Sequence, residues 1–237
     1  MFSLRTRRTV REKTPEEPVA HATRDWESRR LDEAFDKHKR AISSFSSACD
    51  FFEEAVDDYV RCTERAGTEE LPANAVERRL LNIAECLYWL GCSQSAIGRY
   101  PEAVANLESA AAQFETSHIT VRAGESYLVL GAALRDQALE QDSGSLFLAA
   151  IDKFNAADRL FFQALNSGND EVEAAFGESF LSSAPAYLAL GDCDTVINRY
   201  PKAMTVFRKY GNQQQQRWCE GHYQTALCMN AIAQRNN

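Results

Sequence analysis

The chain contains no Cys-x-x-Cys pair, no Asn-x-Ser/Thr sequon and no apolar run near the roughly 20 residues of a membrane span. Its start has no apolar core, which excludes a secretory signal. Histidine is scarce: His21, His38, His118 and His222 are scattered, and none falls in a metal-spaced pair such as HxxxH or HExxH. No phosphate-binding glycine loop, nucleophile elbow or dinucleotide fingerprint is present. Cys219 and His222 stand one helical turn apart, but such a pair reads as two neighbours on a helix surface. The expectation is a protein without catalytic residues, metal ligands or cofactor.

Glycine (11) and proline (6) are also few among 237 residues, so little interrupts helices. The net charge is −8, and after residue 27 the chain carries 20 basic against 29 acidic residues. An acidic body argues against nucleic acid as the partner. Seven cysteines, at 49, 62, 86, 92, 193, 219 and 228, sit in apolar helical stretches and read as small core residues. The odd count without sequons fits a reducing compartment.

One segment departs from the rest. "MFSLRTRRTVREK" holds five basic residues and one acid and is followed by the breaker "TPEEP". This composition is read as a flexible tail over residues 1–27 in a cytoplasmic protein, with a mitochondrial transit peptide as the alternative. Both readings stand at this stage. Residues 28–237 form the folded domain.

What fills that domain is helical periodicity. Leu31, Phe35, Ile42, Phe45, Phe52, Val56 and Tyr59 make one stripe, and Leu80, Leu81, Ala84, Leu87 and Leu90 another. Breaks are expected at "RAGTEELPAN" (65–74), "DSGS" (142–145), "NSGND" (166–170) and "YGNQ" (210–213). The Gln213–Gln216 run sits at a helix start. Pro185 is expected to kink or interrupt its helix. Trp218, Tyr223, Leu227 and Ile232 mark one side of a terminal capping helix.

Two stretches repeat: "IGRYPEAVANL" at 97–107 and "INRYPKAMTVF" at 197–207. Gly91 is followed by Gly98, Tyr100, Ala103, Leu107 and Ala110. Gly191 is followed by Asn198, Tyr200, Ala203, Phe207 and Tyr210 at the same offsets. Small residues at 91, 191, 103 and 203 would let helices approach closely. Gly98 and Asn198 would end a helix, with Pro101 and Pro201 opening the next. A looser copy has Leu130-Gly131 with Phe147, Ala150, Phe154 and Ala157; its wider spacing demands extra helical turns or a longer loop. A weaker one has Ser43, Phe52, Ala55, Tyr59 and Cys62, for which a single long helix is the alternative.

This pattern resembles the tetratricopeptide repeat over roughly residues 28–210. The resemblance implies an all-α fold of antiparallel helical hairpins stacked in a right-handed superhelix, here with long helices. It also implies a concave groove that binds other proteins, as a peptide segment or amphipathic helix. Read one step to either side of the glycines, the groove would present Glu85, Tyr88, Cys92 and Ser95, then Glu125, Leu128, Ala132 and Arg135, then Leu188, Asp192 and Thr195. Cys92, Ala132 and Asp192 stand where the family's chaperone-tail clamp would need asparagine, which disfavours that partner. The expected function is a protein–protein scaffold or adaptor. The alternatives are a permanent subunit of a large assembly, mitochondrial if the start is a transit peptide, and a membrane-trafficking adaptor of the attachment-protein type.

Overall fold

The structure, a computed structural model, describes residues 40–61 and 73–236. The described residues from Phe45 onward belong to one compact unit. The expected tail over 1–27, the boundary at 28 and the loop over 65–72 lie outside the described residues. Residues 40–61 form one helix, α1. Ser43, Phe52, Ala55 and Tyr59 therefore share a helix and are not the two arms of a hairpin.

Seven helices follow: α2 (Ala73–Ala96), α3 (Tyr100–Thr116), α4 (Thr120–Gln141), α5 (Gly144–Asn166), α6 (Glu173–Ala189), α7 (Cys193–Lys209) and α8 (Gln213–Asn236). A short 3-10 turn, Asp170–Val172, precedes α6. No strand occurs among the described residues. Each helix from α2 onward packs on the next, and α2, α4, α6 and α8 also touch in series. The expected all-α class, hairpins stacked in order, is what the chain adopts.

One turn is used six times. At 97–99, 117–119, 141–143, 167–169, 190–192 and 210–212 the middle residue has positive φ. The third residue's N–H donates to the carbonyl five residues back: Arg99 to Gln94 (2.9 Å), Ile119 to Phe114 (2.8 Å), Ser143 to Ala138 (3.0 Å), Asn169 to Ala164 (3.1 Å), Asp192 to Tyr187 (2.9 Å) and Asn212 to Phe207 (3.0 Å). This bond satisfies a carbonyl orphaned at the helix end and fixes the reversal. Gly98 (φ 79°) and Gly191 (φ 77°) occupy the same place in it.

That equivalence corrects the sequence alignment. Gly191 was expected to match Gly91 inside a helix, yet it ends α6 in open space. Asn198 and Pro201 do not mark a helix end and start; both lie within α7. Pro101, by contrast, does open α3. The two copies differ by seven residues in true register, two turns of helix, so their apolar phase survives the slip. Ala103 and Ala203 are fully buried, as are Leu107 and Phe207 to within 2%.

Close approach is real at the expected Gly91 and Gly131 but not at Gly191, and Gly124 and Gly177 join them. A Cβ on Gly91 would lie 2.6 Å from Leu107 Cγ. One on Gly124 would lie 2.6 Å from the Phe161 ring, and one on Gly131 2.9 Å from Phe154. Gly177 presses on Val206 and Phe207. Gly124 and Gly131 climb α4 while Phe161 and Phe154 descend α5, so ring-into-glycine packing sets the antiparallel register. The wide spacing after Gly131 is taken up by helical turns, since α4 and α5 run for 22 and 23 residues.

Pro185 lies inside α6, and the helix continues through it. Proline has no N–H for the Leu181 carbonyl four residues back. The buried Tyr200 hydroxyl donates to that carbonyl instead (3.2 Å), and Arg135 Nη1 donates to the Ser182 carbonyl (2.8 Å). Tyr200→Phe should cost about 1–3 kcal/mol by orphaning a buried acceptor. In a Pro185→Ala background the restored N–H should reduce that cost to a few tenths of a kcal/mol. Urea denaturation of the four proteins tests this, and equal costs in both backgrounds would rule it out.

The terminal helix packs through Cys219, Tyr223 and Ala226. Of the stripe expected to close the stack, only Tyr223 faces inward; Trp218, Leu227 and Ile232 are exposed.

Candidate interaction groove

The wall of the groove is built around Arg122, which sequence reading missed. It rises from the first turn of α4 and donates from Nε to Glu85 Oε1 on α2 (2.8 Å). Nη2 donates to the other Glu85 oxygen, and Nη1 to Glu125 Oε2. The guanidinium lies 4.1 Å from the centre of the Tyr88 ring. Burial alone would push Arg122 down, but its bonds to Glu85 and Glu125 outweigh this and hold it above its ordinary value. Glu125 three residues on is the sequence signal that could have found it.

Beside this wall runs an open cleft of about 410 Å³. It is lined by Tyr88 from α2, Glu125, Leu128 and Val129 from α4, Ala174, Ala175 and Glu178 from α6, and Asn212 and Gln215 at the start of α8. Three expected groove residues, Tyr88, Glu125 and Leu128, meet here, and Glu85 joins them through Arg122. The α6 wall was missed because the third hairpin was anchored on Gly191 instead of Gly177.

The glutamine run supplies part of the far wall. Asn212 accepts from the Gln215 N–H (3.1 Å), Gln215 Nε2 donates to Glu178, and Gln216 Nε2 donates to the Phe207 carbonyl (3.1 Å). These bonds stitch the first turn of α8 to α6 and α7. Glu178 has an amide for its partner there, and burial pushes its carboxyl up.

The other expected groove residues are placed elsewhere. Arg135 is not a free cation: besides Ser182 it donates from Nε to Asp136 (2.8 Å). Asp192 caps α7, accepting from the Thr195 N–H (3.1 Å) and hydroxyl (2.7 Å). Leu188 packs against the core of the last hairpin. Cys92 packs against that of the first two, its thiol pushed up to about 11 by burial. Ser95 is half-buried on the last turn of α2, where its carbonyl accepts from the Gly98 N–H.

Cys219 is fully buried and its thiol is pushed up to about 12 by burial. It is thus protonated at neutral pH and inaccessible. Among the described residues no three His, Cys, Asp or Glu side chains gather as metal ligands. Nor is any described helix long and apolar enough to cross a membrane. No family model and no curated protein matches this chain, so the reading of its groove rests on its own residues.

Proposed function

We propose that this chain is a non-enzymatic interaction protein, tetratricopeptide-like in plan, that receives a segment of another polypeptide in the cleft beside Arg122. One observation carries the reading. Successive first helices α2, α4 and α6, with the start of α8, contribute to one open trough whose side wall is locked by the Glu85–Arg122–Glu125 bridge. Stacked hairpins produce such a trough as a consequence of burying their shared faces. A cytoplasmic site of action fits the six described cysteines, all free thiols.

Photo-crosslinking tests it. A photo-reactive residue at Ala174, in the cleft, is expected to yield discrete polypeptide adducts in cells. The same residue at exposed Ser109 on α3 is expected to yield none. Adducts through Ser109 alone would reverse the assignment of faces.

A second reading, a permanent subunit of a larger assembly, has its own support. Leu139 and Leu148 are exposed on either side of the α4–α5 turn, and Phe162 is 58% exposed. Under that reading the native protein elutes only at high mass, whereas an adaptor elutes partly free.

A further inference from the structure

We infer that the cleft takes a cationic segment, one in which lysine or arginine is flanked by apolar residues. The inference rests on the groove reading above. The cleft's walls carry two carboxylates, Glu125 and Glu178, and its lining includes no cation. The guanidinium at its edge, Arg122, is already committed through Nε, Nη1 and Nη2 to Glu85 and Glu125. Two carboxylates on one arginine leave that cluster with net negative charge. Glu178 adds another whose bond is to the Gln215 amide. Leu128, Val129, Ala174 and Ala175 supply the apolar remainder, which suits the side chains flanking a positive charge.

Folding gives no reason for a carboxylate at position 178. A glutamine there could accept the same Gln215 hydrogen bond without a half-buried charge, and burial already disfavours the ionised form. A charge kept against its desolvation is explained by a partner that neutralises it. Acidic peptides are excluded by the same argument, because they would place like charges together in a partly desolvated trough.

The test pans a random dodecapeptide library displayed on phage against the full chain. Recovered peptides are then titrated by fluorescence polarisation against wild type, Ala174→Trp, which fills the cleft, and Glu178→Gln. The expected peptides carry lysine or arginine among apolar residues. Their affinity should fall about tenfold or more with each variant and weaken with added salt. The melting temperature of Glu178→Gln should not drop; a clear drop would make Glu178 a structural group and overturn the inference. Peptides without basic residues that are blocked by Ala174→Trp yet indifferent to Glu178→Gln would overturn the charge assignment and leave the groove standing. Peptides indifferent to both variants, or no recovered peptide, would overturn both.

Discussion

Phe154→Ala is expected to cost about 3–5 kcal/mol, the range for truncating a fully buried aromatic. Phe154 is 0% exposed, and its ring occupies the hole left by the missing side chain of Gly131. Truncation opens a cavity that neither helix can close, since the pair Gly124–Phe161 seven residues away holds α4 and α5 at a fixed separation. The reciprocal change refills it. Gly131→Leu alone should overpack and cost about 1–3 kcal/mol. Combined with Phe154→Ala, it should recover part of the loss by supplying a side chain from the other helix. Chemical denaturation of the three variants gives the coupling directly. A single-variant loss below about 1 kcal/mol, or no recovery in the pair, would mean that this ring does not set the hairpin.

Arg199→Met is expected to cost about 3 kcal/mol at neutral pH by stranding a buried carboxylate. Arg199 reaches from α7 to Asp158 on α5, whose side chain is 14% exposed. It also donates to the Tyr187 hydroxyl (3.0 Å) and lies 4.4 Å from the centre of the Phe180 ring. Asp158 Oδ1 and Ser179 Oγ are both buried and form no well-aligned hydrogen bond. Burial pushes the Asp158 carboxyl up, and the nearby Ser179 hydroxyl and Arg199 pull it back only in part.

The sign of the pH effect follows. A carboxyl raised on folding contributes its stability below the ordinary carboxylate range and loses it as pH rises through the folded value. Without Arg199 the folded value rises further. The loss should therefore be largest above the raised folded value and shrink as pH falls toward the ordinary carboxylate range, as Asp158 takes up a proton. Replacing both partners, Asp158→Leu with Arg199→Met, should come within about 1 kcal/mol of wild type. A pH-independent loss would assign the effect to packing of the arginine stem on Phe180.

The helices were legible from the start because their apolar phase is written in every segment. The breaks at 142–145, 166–170 and 210–213 were legible from glycine and polar clusters. The reversal at Ser117–Ile119 was not, because His118 takes the positive φ usually left to glycine. The break at Gly191 was hidden for another reason. Periodicity fixes the face of a helix on which a residue lies but not its height along the axis. A slip of seven residues leaves every face correct while moving the turn. Tyr88, Glu125 and Leu128 were found because they sit near glycines that do mark helix contacts. Glu178 and Gln215 were missed because their neighbourhood was anchored on a turn glycine. Arg122 was missed because its principal partner, Glu85, is 37 residues away and only the stacking brings them together.

The repair of the backbone at Pro185 bears on how the stack comes apart. In a simple repeat array each hairpin keeps its own hydrogen bonds, so terminal units can fray while the interior persists. Here α6 borrows one donor from α7 and another from Arg135 in the hairpin before it. Opening α7 exposes the Leu181 carbonyl, which the proline leaves without an intrahelical donor, and opening α4 removes the Arg135 bond to the Ser182 carbonyl beside it. The middle of the domain therefore unfolds as one cooperative block, and amide protection across α4, α6 and α7 should converge on a single opening free energy.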